Sequence, residues 1–99
     1  MKQYLYKIVC KNPSIKEWYI GRTNDIRKRT FSHKNACKNK DIYLYRYIRE
    51  NGGWCNFDMV IMEEFDDISK EEISIKEIKA IYKYKPGLNS QHGVGYNVY

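Results

Sequence analysis

Two β-prone runs, QYLYKIVC at 3–10 and WYIG at 18–21, flank a short stretch carrying Asn12, Pro13 and Ser14. Asparagine, proline and serine favour turns, and only a few residues separate the runs, so the segment predicts a β-hairpin. Within the first run, Tyr4, Tyr6, Ile8 and Cys10 fall on one side of a two-residue period and Leu5 and Val9 on the other. That pattern predicts a strand covered at least partly on both faces. A hairpin covered on both sides commits the rest of the chain to supplying the cover.

The following segments have the periodicity to do so. Thr23, Asn24 and Asp25 offer N-caps for a helix through IRKRTFSHKNAC, where Arg29, His33 and Cys37 share one face at four-residue intervals. A second helix is expected over DIYLYRYIRE, its aromatics in the core, ending at Asn51-Gly52-Gly53. CNFDMVIMEEF alternates, with Cys55, Phe57, Met59 and Ile61 facing one way, and predicts a third strand returning to the hairpin. Ser69 and Glu72 have capping-box spacing for a last helix that ends before Lys85-Pro86-Gly87. The order β-β-α-α-β-α-tail predicts an α+β fold, a small antiparallel sheet with helices packed against it.

At 99 residues the chain is expected to form one domain, 1–99, without room for a second core. A net charge of +6 points to a polyanionic partner, nucleic acid first. Ten tyrosines supply rings for the core or phenols for a site. Cys10, Cys37 and Cys55 lack C-x-x-C spacing, which gives no disulfide framework or zinc site and favours a reducing compartment. The N-terminus has too short an apolar run for a signal peptide, and nothing approaches a membrane span. The expectation is an intracellular protein of cytoplasm or nucleus, not secreted and with no membrane partner.

Glu77 stands out. At about 100° per residue it projects near Ile73, Ile81 and Tyr84, away from the face of Glu72, Lys76, Lys79 and Lys83. A carboxylate on the apolar side of a helix must be paired, hydrogen-bonded or metal-bound, unless it reaches water at the stripe's edge. Lys76, Lys79 and Lys83 read as a solvent face, and His92 in the glycine-rich tail as a surface histidine.

YIG at 19–21, preceded by YLY at 4–6, resembles the GIY-YIG nuclease family. That family has an arginine ten residues after the second-motif tyrosine and often a histidine four further on, matched here by Arg29 and His33 after Tyr19. Its glutamate on a later helix falls on Glu77, and its asparagine near the domain's end on Asn97 in GYN. YLY lacks the glycine of the name-giving triplet but keeps Tyr6. The resemblance implies a three-stranded antiparallel sheet flanked by helices and metal-dependent hydrolysis of phosphodiester bonds in DNA, nicking one strand per active site.

It further implies one Mg²⁺ or Mn²⁺ on Glu77, Arg29 as phosphate clamp, and Tyr6 or Tyr19 as general base, with a slight preference for Tyr6. His33 is expected to orient a tyrosine or water, and Asn97 to fix geometry. Arg22, Arg27, Lys28 and Lys34 are expected DNA contacts. Partners beyond DNA are a second copy, or an additional DNA-targeting domain or subunit. The competing reading is a non-catalytic nucleic-acid-binding module with the same basic groove.

Overall fold

The computed structural model describes residues 2–89. Three strands, β1 (Gln3–Cys10), β2 (Tyr19–Thr23) and β3 (Phe57–Phe65), form an antiparallel sheet ordered β2-β1-β3. Helices α1 (Ile26–Ala36) and α2 (Tyr43–Glu50) lie between β2 and β3 in sequence, and α3 (Lys70–Tyr84) follows β3. This is the expected α+β order, with the first strand at the centre.

Register assigns the two faces of the sheet. Tyr6 pairs with Gly21 and Ile8 with Tyr19, so Tyr6, Ile8 and Tyr19 share one face, while Leu5 opposite Arg22 and Lys7 opposite Ile20 share the other. The first face carries the main core, in which Tyr6 and Ile8 pack with Cys37, Leu44, Ile48, Phe57 and Leu88. The second lies under α3, which packs against β2. Ile73 and Ile81 of α3 are buried, as are Leu5 and Ile20. Fully burying such a side chain contributes roughly 1.5–3 kcal/mol, against about 0–1 kcal/mol for a surface ion pair, so these isoleucines attach the helix.

Local chemistry sets the boundaries. The Asp25 carboxylate accepts from the Lys28 N–H at 3.0 Å and caps α1. Gly52 and Gly53, at φ 101° and 82°, take the left-handed turn that ends α2. The Ser69 hydroxyl accepts from the Glu72 N–H at 3.1 Å, the N-cap half of the expected capping box, and its own O–H donates to the Glu72 carboxylate at 3.2 Å. Helix α2 starts two residues later than expected, with Ile42 at a cap position that has no side-chain cap hydrogen bond.

Strand β3 keeps its expected alternation from Phe57 to Ile61 and breaks it at Met62. Leu5 pairs with Glu63 but Tyr6 with Ile61, a register shift that leaves Met62 as an extra residue in β3. Phe57 is buried and Met59 packs on the core, yet Ile61 is 48% exposed and Cys55 lies exposed in the 3₁₀ turn Trp54–Asn56 before the strand. The inward row therefore shrinks to Phe57 and Met59. β3 is an edge strand that touches α1 at Met59, whose sulfur lies 3.4 Å from the Thr30 hydroxyl, and then runs on past that contact.

The opposite edge, β2, is protected by the chain that follows α3. The Leu88 N–H donates to the Trp18 carbonyl at 2.9 Å. The Asn89 side chain accepts from the Ile20 N–H and donates to the Ile20 carbonyl, each at 2.8 Å. One amide thus stands in for a residue of a fourth strand and satisfies an edge that would otherwise seek another partner.

Candidate active site

The site is built on the α1 face of the sheet, where Tyr6 of β1 and Tyr19 of β2 hold their ring centroids 6.4 Å apart. Gly21, directly across from Tyr6, makes this possible: a Cβ there would overlap the phenol ring, 2.9 Å from Cε2 and closer still to Cζ and the hydroxyl oxygen. The glycine of the YIG triplet is therefore the floor on which the Tyr6 ring lies. Gly21→Ala is expected to cost roughly 1–3 kcal/mol through this overlap and to displace the Tyr6 hydroxyl. A urea-unfolding midpoint equal to that of the unmodified protein would contradict it.

His33 of α1 is 4% exposed and stands edge-on to both tyrosine rings, at 5.8 Å and 5.9 Å, while stacking on Trp54 at 6.0 Å. Its Nε2 lies 2.7 Å from the Tyr6 hydroxyl and its Nδ1 2.8 Å from the Tyr45 hydroxyl. Both ring nitrogens are thus engaged in a Tyr6–His33–Tyr45 chain. Burial, reinforced by the Arg29 charge, holds the imidazole down at about 4, so it is neutral at physiological pH. Burial also pushes the Tyr6 phenol well above its ordinary value, with Tyr19 adding to the rise and Arg29 opposing it.

Arg29, one turn before His33, lies at the exposed surface. Its charge is felt by Tyr6, His33, Tyr45 and Glu77, which places it electrically between the aromatic cluster and the carboxylate. Glu77 comes from α3 on the sheet's other face and is 22% exposed. Its Oε1 lies 3.4 Å from Arg22 Nε. Burial raises the carboxyl above the ordinary range, and the Arg22 and Arg29 charges pull it back. Of the outcomes open to a carboxylate on the apolar side, pairing is present, with Arg22, whereas Tyr84, its expected neighbour, is 48% exposed and packs edge-on against Trp18.

The donor set fits one hard divalent ion. No group of three or more His, Cys, Asp or Glu side chains converges among the described residues. A lone carboxylate suits Mg²⁺ or Mn²⁺, which keep several waters and complete their shell with substrate phosphate. It does not suit zinc or calcium, which require several protein ligands.

Tyr6, Tyr19 and His33 are thus gathered, with Arg29 and Glu77 coupled to them. Arg22 pairs with Glu77 instead of standing apart as a surface contact. Arg27, Lys28 and Lys34 are exposed on α1 away from the tyrosines. Asn97 and His92 lie outside the described residues. Sequence reasoning missed Tyr45 and Asn89. The sequence of α2 assigns Tyr45 to the core, and nothing local marks its hydroxyl as the partner of His33. Asn89 had one signal, an amide immediately after the Pro86-Gly87 breaker where the chain turns back on itself.

Among models of known families, the one described as the GIY-YIG catalytic domain matches residues 2–90. No curated protein and no solved structure matches the chain.

Proposed function

Because the chain belongs to the GIY-YIG catalytic domain family, a family of endonucleases with this nuclease-type fold, we propose that it is a metal-dependent DNA endonuclease cutting one strand per site. The observation that carries this reading is a buried Tyr6–His33 hydrogen bond with Arg29 and the half-buried carboxylate of Glu77 close enough for their charges to act on Tyr6. A plain binding groove has no need of a tyrosine hydroxyl 2.7 Å from a neutral imidazole. The non-catalytic alternative would leave that arrangement without purpose.

Each residue takes a role suited to its chemistry. Arg29 holds the scissile phosphate through two parallel hydrogen bonds, for which a planar guanidinium is better shaped than an ammonium. Glu77 would hold Mg²⁺ or Mn²⁺, and the ion would supply charge stabilisation for the reacting phosphate and the departing 3′ oxygen. Tyr6 accepts the proton of the attacking water while its own passes to His33 Nε2, which avoids a bare phenolate and forms an imidazolium that is short-lived, because burial and the Arg29 charge hold His33 at about 4. That relay needs His33 to carry its proton on Nδ1 and donate it to the Tyr45 oxygen, which fixes the tautomer. Tyr19 positions the water or the phosphate beside Tyr6. Asn89 holds β2, and hence Tyr19 and Gly21, in place through Ile20, and Asn97 is assigned a geometric role of the same kind.

Supercoiled plasmid incubated with the protein and Mg²⁺ or Mn²⁺ is expected to accumulate nicked circles before linear DNA, and to stay intact in chelator. Tight plasmid binding with no nicking in either metal would transfer the chain to the binding-module reading.

A further inference from the structure

Helix α1 presents a second face that the catalytic arrangement does not use. Phe31 is 55% exposed, although a phenylalanine on the outer ridge of a helix gains nothing from water. At about 100° per residue it stands roughly 160° around the helix from buried His33. Its neighbours one turn away on the helix are Arg27, Lys28, Lys34 and Asn35, and Lys38, just past the end of α1, lies beside it, making four cations and one amide. No acidic residue lies within α1, and the nearest, Asp25, is occupied capping the Lys28 N–H. Two open depressions flank the ring, sharing Arg27, Phe31 and Asn35; one continues to Thr30, Lys34 and Lys38, the other to Lys28, Ser32 and the capping carboxylate of Asp25.

An isolated apolar ring at the surface is ordinary, but this one is fenced by positive charge. An apolar protein partner would have to desolvate four cations to reach it, and an acidic protein surface would satisfy the cations while giving the ring nothing to stack on. One chemistry answers both: a phosphodiester strand whose bases are free to stack. In duplex DNA the bases face each other and offer the ring no open face.

We infer that the outer ridge of α1 binds a single-stranded nucleic-acid segment, with Phe31 stacking on an unpaired base and Arg27, Lys28, Lys34 and Lys38 holding the flanking phosphates. The inference rests on the nuclease reading above and sharpens its substrate to DNA with an unpaired strand beside the duplex, such as a flap or overhang. The inner face of α1 then serves the bond to be cut, through Arg29 and His33, while the outer ridge holds the strand that has left the duplex.

The test is fluorescence anisotropy in chelator and at low salt, using a labelled single-stranded DNA oligonucleotide, an RNA of matching sequence, a blunt duplex of equal length, and that duplex with a single-stranded flap. Phe31→Ala is expected to weaken single-strand and flap binding roughly 10-fold and blunt-duplex binding less than 2-fold. Phe31→Trp should retain binding, with its emission quenched by the single strand. Equal dependence of DNA and RNA on Phe31 supports a base-stacking site blind to the sugar, and dependence for DNA alone supports one confined to DNA strands. Equal losses on duplex and single strand, or no loss on either, overturn the stacking site. Because binding is read without metal, absence of plasmid nicking would sink the nuclease reading alone, while Phe31-independent binding by a protein that nicks would sink the ridge alone.

Discussion

Replacing Glu77 by alanine is expected to lower plasmid nicking by about 10³-fold or more while changing DNA affinity less than threefold. A bound divalent ion is worth several kcal/mol to a phosphoryl transition state, and each 1.36 kcal/mol is a factor of ten in rate. The affinity is expected from a different source, the cations of α1, whose phosphate contacts would need no carboxylate. Removing Glu77 also releases Arg22, 38% exposed at its side chain, into water where it needs no partner, so the variant should remain folded. Two readings separate cause from collapse: Mn²⁺ binding followed by electron paramagnetic resonance should disappear, and the thermal unfolding midpoint should move by only a few degrees. Undiminished metal-dependent cutting by Glu77→Ala would remove the residue from the site.

The legibility of Glu77 in the sequence shows what kind of information a single chain exposes. Helix periodicity was enough to place that carboxylate on the apolar side of α3, because the three-dimensional neighbours of a helical residue are its sequence neighbours at three and four positions. The hairpin, the Asp25 cap, the Ser69–Glu72 box and the Gly52-Gly53 stop were legible for the same reason: each depends on interactions a few residues long. What failed was long-range. The bulge at Met62 arises from pairing between β1 and β3, more than fifty positions apart, and Ile61 just before it keeps its place in the row, opposite Tyr6, yet lies 48% exposed beyond the contact of Met59 with α1. Tyr45 meets His33 only because α2 folds back beside α1, and Asn89 meets Ile20 across 69 positions. The family resemblance singles out Tyr6, Tyr19 and His33, whose rings the fold sets side by side, yet it gives no sign of Tyr45 or Asn89, since holding a ring or a strand edge leaves no mark in local sequence.

Tyr6→Phe is expected to slow single-turnover nicking by roughly 10²–10⁴-fold, the range for a lost general base, while Tyr19→Phe lowers the rate less and leaves its pH profile unchanged. The difference follows from the His33 contact. The Tyr6 hydroxyl has a proton acceptor 2.7 Å away, and a phenol driven upward by burial needs one, because it cannot sit ionised in advance of the reaction. His33 must be neutral to act as that acceptor. Its folded value, about 4, lies below the ordinary 6.5, so the neutral form persists as pH falls through 6.5 and is lost only as pH approaches 4. The acid limb contributed by His33 should therefore fall near pH 4 and not near 6.5. Folding stability follows the same sign, full above the ordinary value and declining as pH drops from 6.5 towards 4, because the unfolded chain binds the proton first. His33→Gln keeps a hydrogen-bonding side chain but cannot become a cation, so it should cut slowly at every pH and lose this acid dependence of its unfolding midpoint. Near-normal rates in both Tyr6→Phe and Tyr19→Phe would exclude a tyrosine base. A large loss confined to Tyr19→Phe, with an altered alkaline limb, would pass the role to the half-buried ring and leave Tyr6 and His33 as its support.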